Sequence, residues 1–399
     1  MKRKKAYSDA PKGFHFSTAE AAIKKPGRKD LALIYSEVEA NISGSFTTNM
    51  VKAAPVRIDI RKIKTGRGQA IIMNSGNANA CTGRQGVSDA NEMAGMVSKG
   101  LGIKPSLIYV ASTGVIGARM PMERIKPALE ELVSGVGDSS FEDVAAAIMT
   151  TDTFPKIVRK RIKVGDKIGT IAGICKGAGM ICPHMATMLS FILTDIAVEK
   201  RTLDKALRTA VKKSFNRLTI DGDMSTNDTV LLMANGILGN PPVTEKDAAY
   251  LQFCKVLAEL TAELSKMIAT DGEGATKFVE IEVRGTRNDH EAERAALAVA
   301  NSSLVKTAIY GHDANWGRIM AALGYSGVSF REEKVDIFFG KVKIVEKGLA
   351  SGKDKQAGDV LKEKEVKILI DLHGGKASAK VFTCDLTEDY IRINAEYRT

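Results

Sequence analysis

In the stretch KGAGMICPHMATMLSFILTD, Lys176 to Asp195, a lysine, Lys176, a histidine, His184, and a threonine, Thr187, lead into an apolar run. Thr187 stands immediately before Met188 to Leu193, a short, nearly unbroken hydrophobic segment that reads as a strand buried on both faces. Two readings of this hydroxyl compete. In one, Thr187 is a β-branched residue that starts a strand and bonds a nearby carbonyl. In the other it is a nucleophile that attacks the Ala186 carbonyl; the ester formed is hydrolysed, and Thr187 becomes a new N-terminus whose own α-amine serves as its base. An α-amino group titrates at about 7.7–8.0, close enough to neutrality to take and return a proton. Ala186, small, crowds that attack least. His184 reads as a loop residue on the leaving side of the cut, with a proton shuttle as the alternative. Residue type and spacing alone leave the choice at Thr187 open.

The elements that would position this threonine can be read around it. Lys167 to Ile174 is strand-like and delivers the chain to Lys176 and a glycine-bearing loop. Leu107 to Ala111 is a short buried strand that empties into Ser112-Thr113-Gly114, where a glycine would let a carbonyl approach backbone N–H groups, as an oxyanion hole requires; an ordinary turn is the other reading. Gln69 to Met73 is a third strand, running into Asn74-Ser75-Gly76-Asn77-Ala78-Asn79-Ala80, either a tight structural loop or a site lining. Further strands are expected at Leu31 to Tyr35, Phe46 to Ala54, Phe278 to Val283, Val335 to Phe339, Lys341 to Val345, Val366 to Leu372 and Ala379 to Leu386. Helical spacing marks Ser88 to Leu101, Met122 to Ser134, Phe141 to Thr150, Arg201 to Phe215, Thr244 to Ile268, Glu291 to Ala300 and Trp316 to Leu323. The two types mix without a regular βαβ rhythm, which predicts an α+β layered α/β sandwich.

The chain has 399 residues, 44% of them hydrophobic, enough for one large or two medium globular domains. Five cysteines without a C-x-x-C indicate neither a disulfide framework nor a paired-thiol zinc site, and suit a reducing compartment. The basic N-terminus is followed by no apolar segment, and no run approaches the length of a membrane span, so a soluble cytoplasmic protein is expected. The net charge of +11 is spread along the chain, which speaks for a solvated surface and against nucleic acid. Neither the dinucleotide fingerprint nor the Walker loop occurs, the five histidines are scattered, and no cofactor or metal is implied. Asp221 and Asp223 look superficially like a calcium loop, but the glutamate an EF-hand needs at its twelfth position is Leu232, so a structural loop is expected.

The segment around Thr187 resembles the self-cleavage signature of the ornithine acetyltransferase family, also called glutamate N-acetyltransferases, whose usual form is close to KGSGMIxPNMATML. This chain departs at Ala178, Cys182 and His184 only. The likeness continues through Ala10-Pro11-Lys12-Gly13-Phe14, Phe46-Thr47-Thr48-Asn49, Asn74 to Gly86, Ser112-Thr113-Gly114, Thr150-Thr151-Asp152-Thr153, Asp271 to Lys277, Tyr310 to Arg318 and Asn394 to Thr399. The resemblance implies an N-terminal-nucleophile-like self-processing architecture of the DmpA and ornithine acetyltransferase type, cut between Ala186 and Thr187 into chains 1–186 and 187–399. It implies acetyl transfer from N-acetylornithine to glutamate through an acetyl-threonine, without cofactor, and leaves acetyl-CoA open as a second donor. It makes Thr187 nucleophile and, by its freed amine, base, and gives the oxyanion to Thr113 and Gly114. Substrate contacts fall on Thr150, Lys176, Thr187, Glu273, Asn394 and Thr399, and the two chains are expected to stay together as a heterotetramer. A self-processing aminopeptidase or amidohydrolase is the alternative. A chain end that closes on the site further implies an ordered C-terminus.

Overall fold

The computed structural model describes residues 10–182 and 188–396. Two compact units emerge. The first comprises the chain up to Gly177, the stretch ending at Phe215 and Met224–Leu264; the second comprises a short piece from Ala178, Asn216–Asp223 and the chain from Ser265 on.

In the first unit β1 (Phe14–Ala19), β2 (Leu31–Phe46), β3 (Arg67–Asn74), β4 (Ile108–Ser112), β5 (Lys156–Val164), β6 (Lys167–Lys176), β7 (Leu189–Thr194) and β8 (Thr229–Ala234) form one sheet, ordered β4-β3-β2-β8-β7-β6-β5, with β1 added on β2. Most neighbours are antiparallel, but β3 with β4 and β7 with β8 run parallel. The sheet is buried on both faces, and the two-residue period of a strand decides which side chain goes where. Leu31, Leu33, Ala70, Ile72, Ile108 and Val110 face a core shared with Ile58 of α1 (Ala54–Lys62), Met93 and Val97 of α2 (Gly83–Leu101) and Leu129 and Leu132 of α3 (Met122–Ser134). Their alternates Ile34, Ile71, Met73 and Tyr109 face the other way, with Phe191, Leu231 and Met233, onto Phe141 and Val144 of α4 (Phe141–Ala147). Two more helices follow, α5 (Lys200–Lys213) and α6 (Ala248–Thr270). A Cβ at Gly173 of β6 would stand 2.8 Å from a Leu260 methyl, so that glycine lets α6 lie close on the strand.

The second unit has its own sheet, built on β9 (Phe278–Thr286) with α7 (Asp289–Ala300), α8 (Ser303–Tyr310) and α9 (Trp316–Tyr325) next in the chain. Then come β10 (Asp336–Phe339), β11 (Val342–Glu346), β12 (Leu349–Ala350), α10 (Asp354–Val360), β13 (Glu365–Asp371), β14 (Ala377–Cys384) and α11 (Glu388–Ala395). The strand order is β12-β11-β10-β13-β9-β14, with Val279, Ile281, Ile368 and Val381 packed against Ala296, Val299, Ile309, Ile319 and Leu323 of the helices. Side-chain caps punctuate it: Asn288, Ser302, Asn315 and Thr387 each accept an N–H of the helix they begin.

The expected α+β layering is therefore present. Phe46 to Ala54 is not a second strand: β2 already reaches Phe46, and Pro55 in the first turn starts α1 instead. Lys156–Val164, whose apolar residues are interrupted by lysine and arginine, is a strand that apolar runs do not reveal. The core strand expected at Met188 to Leu193 is β7, buried throughout. Among the described residues no helix is long and apolar enough to cross a membrane. Phe191, central in β7, is fully buried. We expect Phe191→Ala to lower unfolding free energy by about 3–5 kcal/mol in urea titrations.

Candidate active site

Ala186, Thr187, His184 and Thr399, four residues singled out above, lie outside the described residues. Their chain neighbours and the remaining candidates can be placed.

Lys176, the last residue of β6, is paired in register with Leu189 at the start of β7, two residues past Thr187. Its ammonium is buried and donates to Thr150 Oγ1 at 2.7 Å, so the structure brings two of the expected substrate residues together. Asp152 binds this pair into a cluster. One carboxylate oxygen accepts from Lys156 Nζ (2.7 Å) and Gly177 N (2.7 Å); the other accepts from Thr150 N (3.0 Å) and lies 3.7 Å from Lys176 Nζ. Burial, the largest influence, works against its ionisation, yet the Lys176 and Lys156 charges and the hydrogen bonds outweigh it, and Asp152 is held well below the usual carboxylate range.

At the other strand mouth, Thr113 and Gly114 follow β4. Thr113 N donates to Asn74 O at 3.0 Å, so what Thr113 has left to offer is its hydroxyl, with the Gly114 N–H beside it. Gly114 has φ +133°, and a Cβ there would stand 2.3 Å from the Gly76 carbonyl carbon and 2.5 Å from Asn77 N. Glycine is required here because the Asn-rich loop lies directly against it. That loop is internally bonded: Asn74 Nδ2 donates to Asn77 O (2.8 Å), Ser112 Oγ to Asn74 Oδ1 (2.6 Å) and Ala78 N to Val115 O (3.0 Å). Its asparagines are thus the backing of the strand mouth.

Residues that sequence reasoning passed over hold these parts. Asn227 Nδ2 donates to Ser112 O (2.7 Å) and Ala78 O (2.6 Å), and Asp228 Oδ1 accepts from Met188 N (3.0 Å). Burial pushes the Asp228 carboxyl well above the usual range, against the Met188 N–H, the Thr47 hydroxyl and the Lys176 charge. Both belong to the polar stretch before β8, whose only signal in the sequence is an unusual density of short polar side chains.

Within the second unit, Asn394 Nδ2 of α11 donates to Glu273 Oε2 at 2.8 Å, which joins two further expected substrate residues. The Glu273 carboxylate lies against Gly179, where a Cβ would come within 2.2 Å of Oε2, and Glu273 N donates to Ala178 O (2.8 Å). Asp221 accepts from Met180 N (2.6 Å) and Ile181 N (2.9 Å), as a clamp on irregular backbone. Among the described residues there is no group of three or more His, Cys, Asp or Glu placed to hold a metal.

Asp152→Asn should destabilise the fold at pH 7 by about 3–5 kcal/mol, because two buried ammonium groups lose their counter-charge. A carboxylate whose folded pKa is depressed contributes stability that is present above its unfolded pKa, about 3.9, and lost as the pH falls below it. The gap between wild type and variant in urea titrations should therefore be full at neutral pH and narrow in acid.

The ArgJ family model matches residues 15–399. An arginine biosynthesis bifunctional protein ArgJ of Geobacter sulfurreducens is 52% identical over 390 residues, covering 97% of this chain and 99% of that one. That of Caldanaerobacter subterraneus subsp. tengcongensis is 50% identical over 396 residues, with 98% of each covered. The crystal structure of arginine biosynthesis bifunctional protein ArgJ from Bacillus halodurans superposes with a TM-score of 0.51 at 46% identity, over 52% of this chain and 99% of that chain. Matched by this family model and by relatives of this identity along nearly all its length, the chain belongs to the ArgJ family and is an acyltransferase of arginine biosynthesis.

Proposed function

We propose that the protein cuts itself between Ala186 and Thr187 and then transfers an acetyl group from N2-acetylornithine to glutamate through Thr187. In the cut, the Thr187 hydroxyl oxygen bonds to the Ala186 carbonyl carbon, the C–N link breaks with its proton going to nitrogen, and water hydrolyses the ester. In transfer, the freed amine takes the hydroxyl proton as Thr187 attacks the acetyl carbonyl, and returns it to the departing ornithine nitrogen. Glutamate's amine then attacks the acetyl-threonine, giving N-acetylglutamate and restoring the enzyme. The Thr113 hydroxyl and Gly114 N–H stabilise the oxyanion in each half. Thr150 and Lys176 bind substrate carboxylate, Glu273 and Asn394 bind its amine and polar groups, and Thr399 completes the set.

The observation that carries this reading is the Lys176–Thr150 bond at the end of β6, in register with the strand that begins two residues past Thr187. The half-length chain of the Bacillus halodurans ArgJ structure, covered over 99% of its length, supports an enzyme in two pieces, 1–186 and 187–399. These pieces remain associated in a cytoplasmic heterotetramer of two copies each. The bifunctional description of the relatives supports acetyl-CoA as a second donor.

Incubation with N-acetylornithine, with and without glutamate, tests the reaction. Ornithine release that requires glutamate is expected; release indifferent to glutamate would mean a hydrolase of the aminopeptidase or amidohydrolase type. Glutamate with acetyl-CoA alone should give N-acetylglutamate, and none formed would confine the enzyme to recycling acetyl groups. Thr187→Ala should run as one uncut chain of 42.9 kDa by mass spectrometry, with transfer reduced by on the order of 10⁴-fold or more. Gly114→Ala, which collides with the Asn77 loop, should lower kcat by about 10²–10³-fold.

A further inference from the structure

Two adjacent residues hold both halves of the reacting centre. Asn227 grips Ser112 O, the carbonyl before Thr113-Gly114, and Asp228 grips the N–H of Met188, the residue covalently joined to Thr187. We infer that Asn227 and Asp228 are positioning residues that set the separation between the Thr187 hydroxyl and the oxyanion donors, a role that rests on the function proposed above.

The bonding leaves these two side chains little freedom. Asn227 spends both amide hydrogens on buried carbonyls, Ser112 O at 2.7 Å and Ala78 O at 2.6 Å, which lie on the two segments forming the strand mouth. Its amide oxygen accepts from the Thr226 hydroxyl (2.5 Å), and its own N–H donates to Ser225 Oγ (3.0 Å). Asp228 is fixed at both ends: its carbonyl accepts from Thr47 N (3.0 Å), while Oδ1 reaches Met188 N. Thr229 N then donates to Met188 O (3.1 Å), so both polar groups of the Met188 backbone are held by consecutive residues. The second oxygen of Asp228 is buried beside the Thr47 and Ser225 hydroxyls without a hydrogen bond of good geometry, the Thr47 hydroxyl donating to Ser225 O at 2.8 Å. The bond to Met188 needs an acceptor and not a charge, so an amide can replace the carboxyl. A reaction that depends on the approach of one oxygen to one carbonyl loses about 10²-fold for a displacement of about 1 Å.

The test compares wild type, Asp228→Ala, Asp228→Asn and Asn227→Ala in the full chain, following the rate of self-cleavage by mass spectrometry and then acetyl transfer per cleaved molecule. Asp228→Ala should slow both steps by about 10²-fold with KM for N-acetylornithine within about threefold of wild type. Asp228→Asn, which keeps the acceptor, should restore both to within about fivefold. Asn227→Ala should lower kcat in the same way, and it carries the test alone if Asp228→Ala is not recovered folded. Wild-type rates in Asp228→Ala or in Asn227→Ala, or an Asp228→Asn as slow as Asp228→Ala, would overturn the inference. A wild-type chain that neither cuts itself nor transfers acetyl would overturn the proposed function instead.

Discussion

Two lysines whose ammonium groups are shut away from water, Lys156 and Lys176, are tolerable in this fold because Asp152 lies between them. Removing an ammonium from water costs several kcal/mol, and only a carboxylate with good geometry offsets it. The same carboxylate accepts the N–H groups of Thr150 and Gly177. Charge balance thereby fixes the direction in which the chain leaves β6 toward residue 187, and fixes the Thr150 hydroxyl against Lys176. A lysine held this way has little side-chain freedom left to lose, which is the condition of a preorganised site.

The same device recurs where backbone is irregular. Asp30 accepts from Ala21 N and Ile23 N, Asp221 from Met180 N and Ile181 N, Asp228 from Met188 N, and Asp385 from Thr276 N and Lys277 N. Backbone N–H groups outside helices and strands must find acceptors when buried. A short carboxylate can serve two at once, so each aspartate freezes a bend that neither periodicity nor hydrophobicity would hold. Such stiffness suits chemistry that relies on donors aimed in advance at a developing charge.

Glycine plays two distinct parts in the motif segments. At Gly114 the dihedral and the space both demand it, since the Asn77 loop occupies the position of a side chain. At Gly179 the neighbour is the Glu273 carboxylate, and glycine is what lets an acidic side chain approach the backbone so closely. The flexible-looking KGAG sequence is therefore close-packed at that glycine.

Amino-acid order by itself determined a good deal. The apolar runs around Leu33, Ile71, Val110 and Phe191 specify strands buried on both faces, the Ser112-Thr113-Gly114 and Lys176 to Leu193 motifs identify the family, and Thr150, Lys176, Glu273 and Asn394 are singled out as candidates through that likeness, paired in the fold as Lys176 with Thr150 and Asn394 with Glu273. These signals are local, carried by a few consecutive side chains. What only the folded chain decided is which distant groups meet. Nothing in the sequence pairs Lys156 with Asp152 until β5 and β6 come together; Asn227 and Asp228 read as loop polarity until β8 brings them beside Ser112 and Met188. Burial converts an ordinary carboxylate or amide into a positioning device, and burial depends on contacts between separate elements, 40 residues apart for Met188 with Asp228 and 115 for Asn227 with Ser112, which no local pattern records.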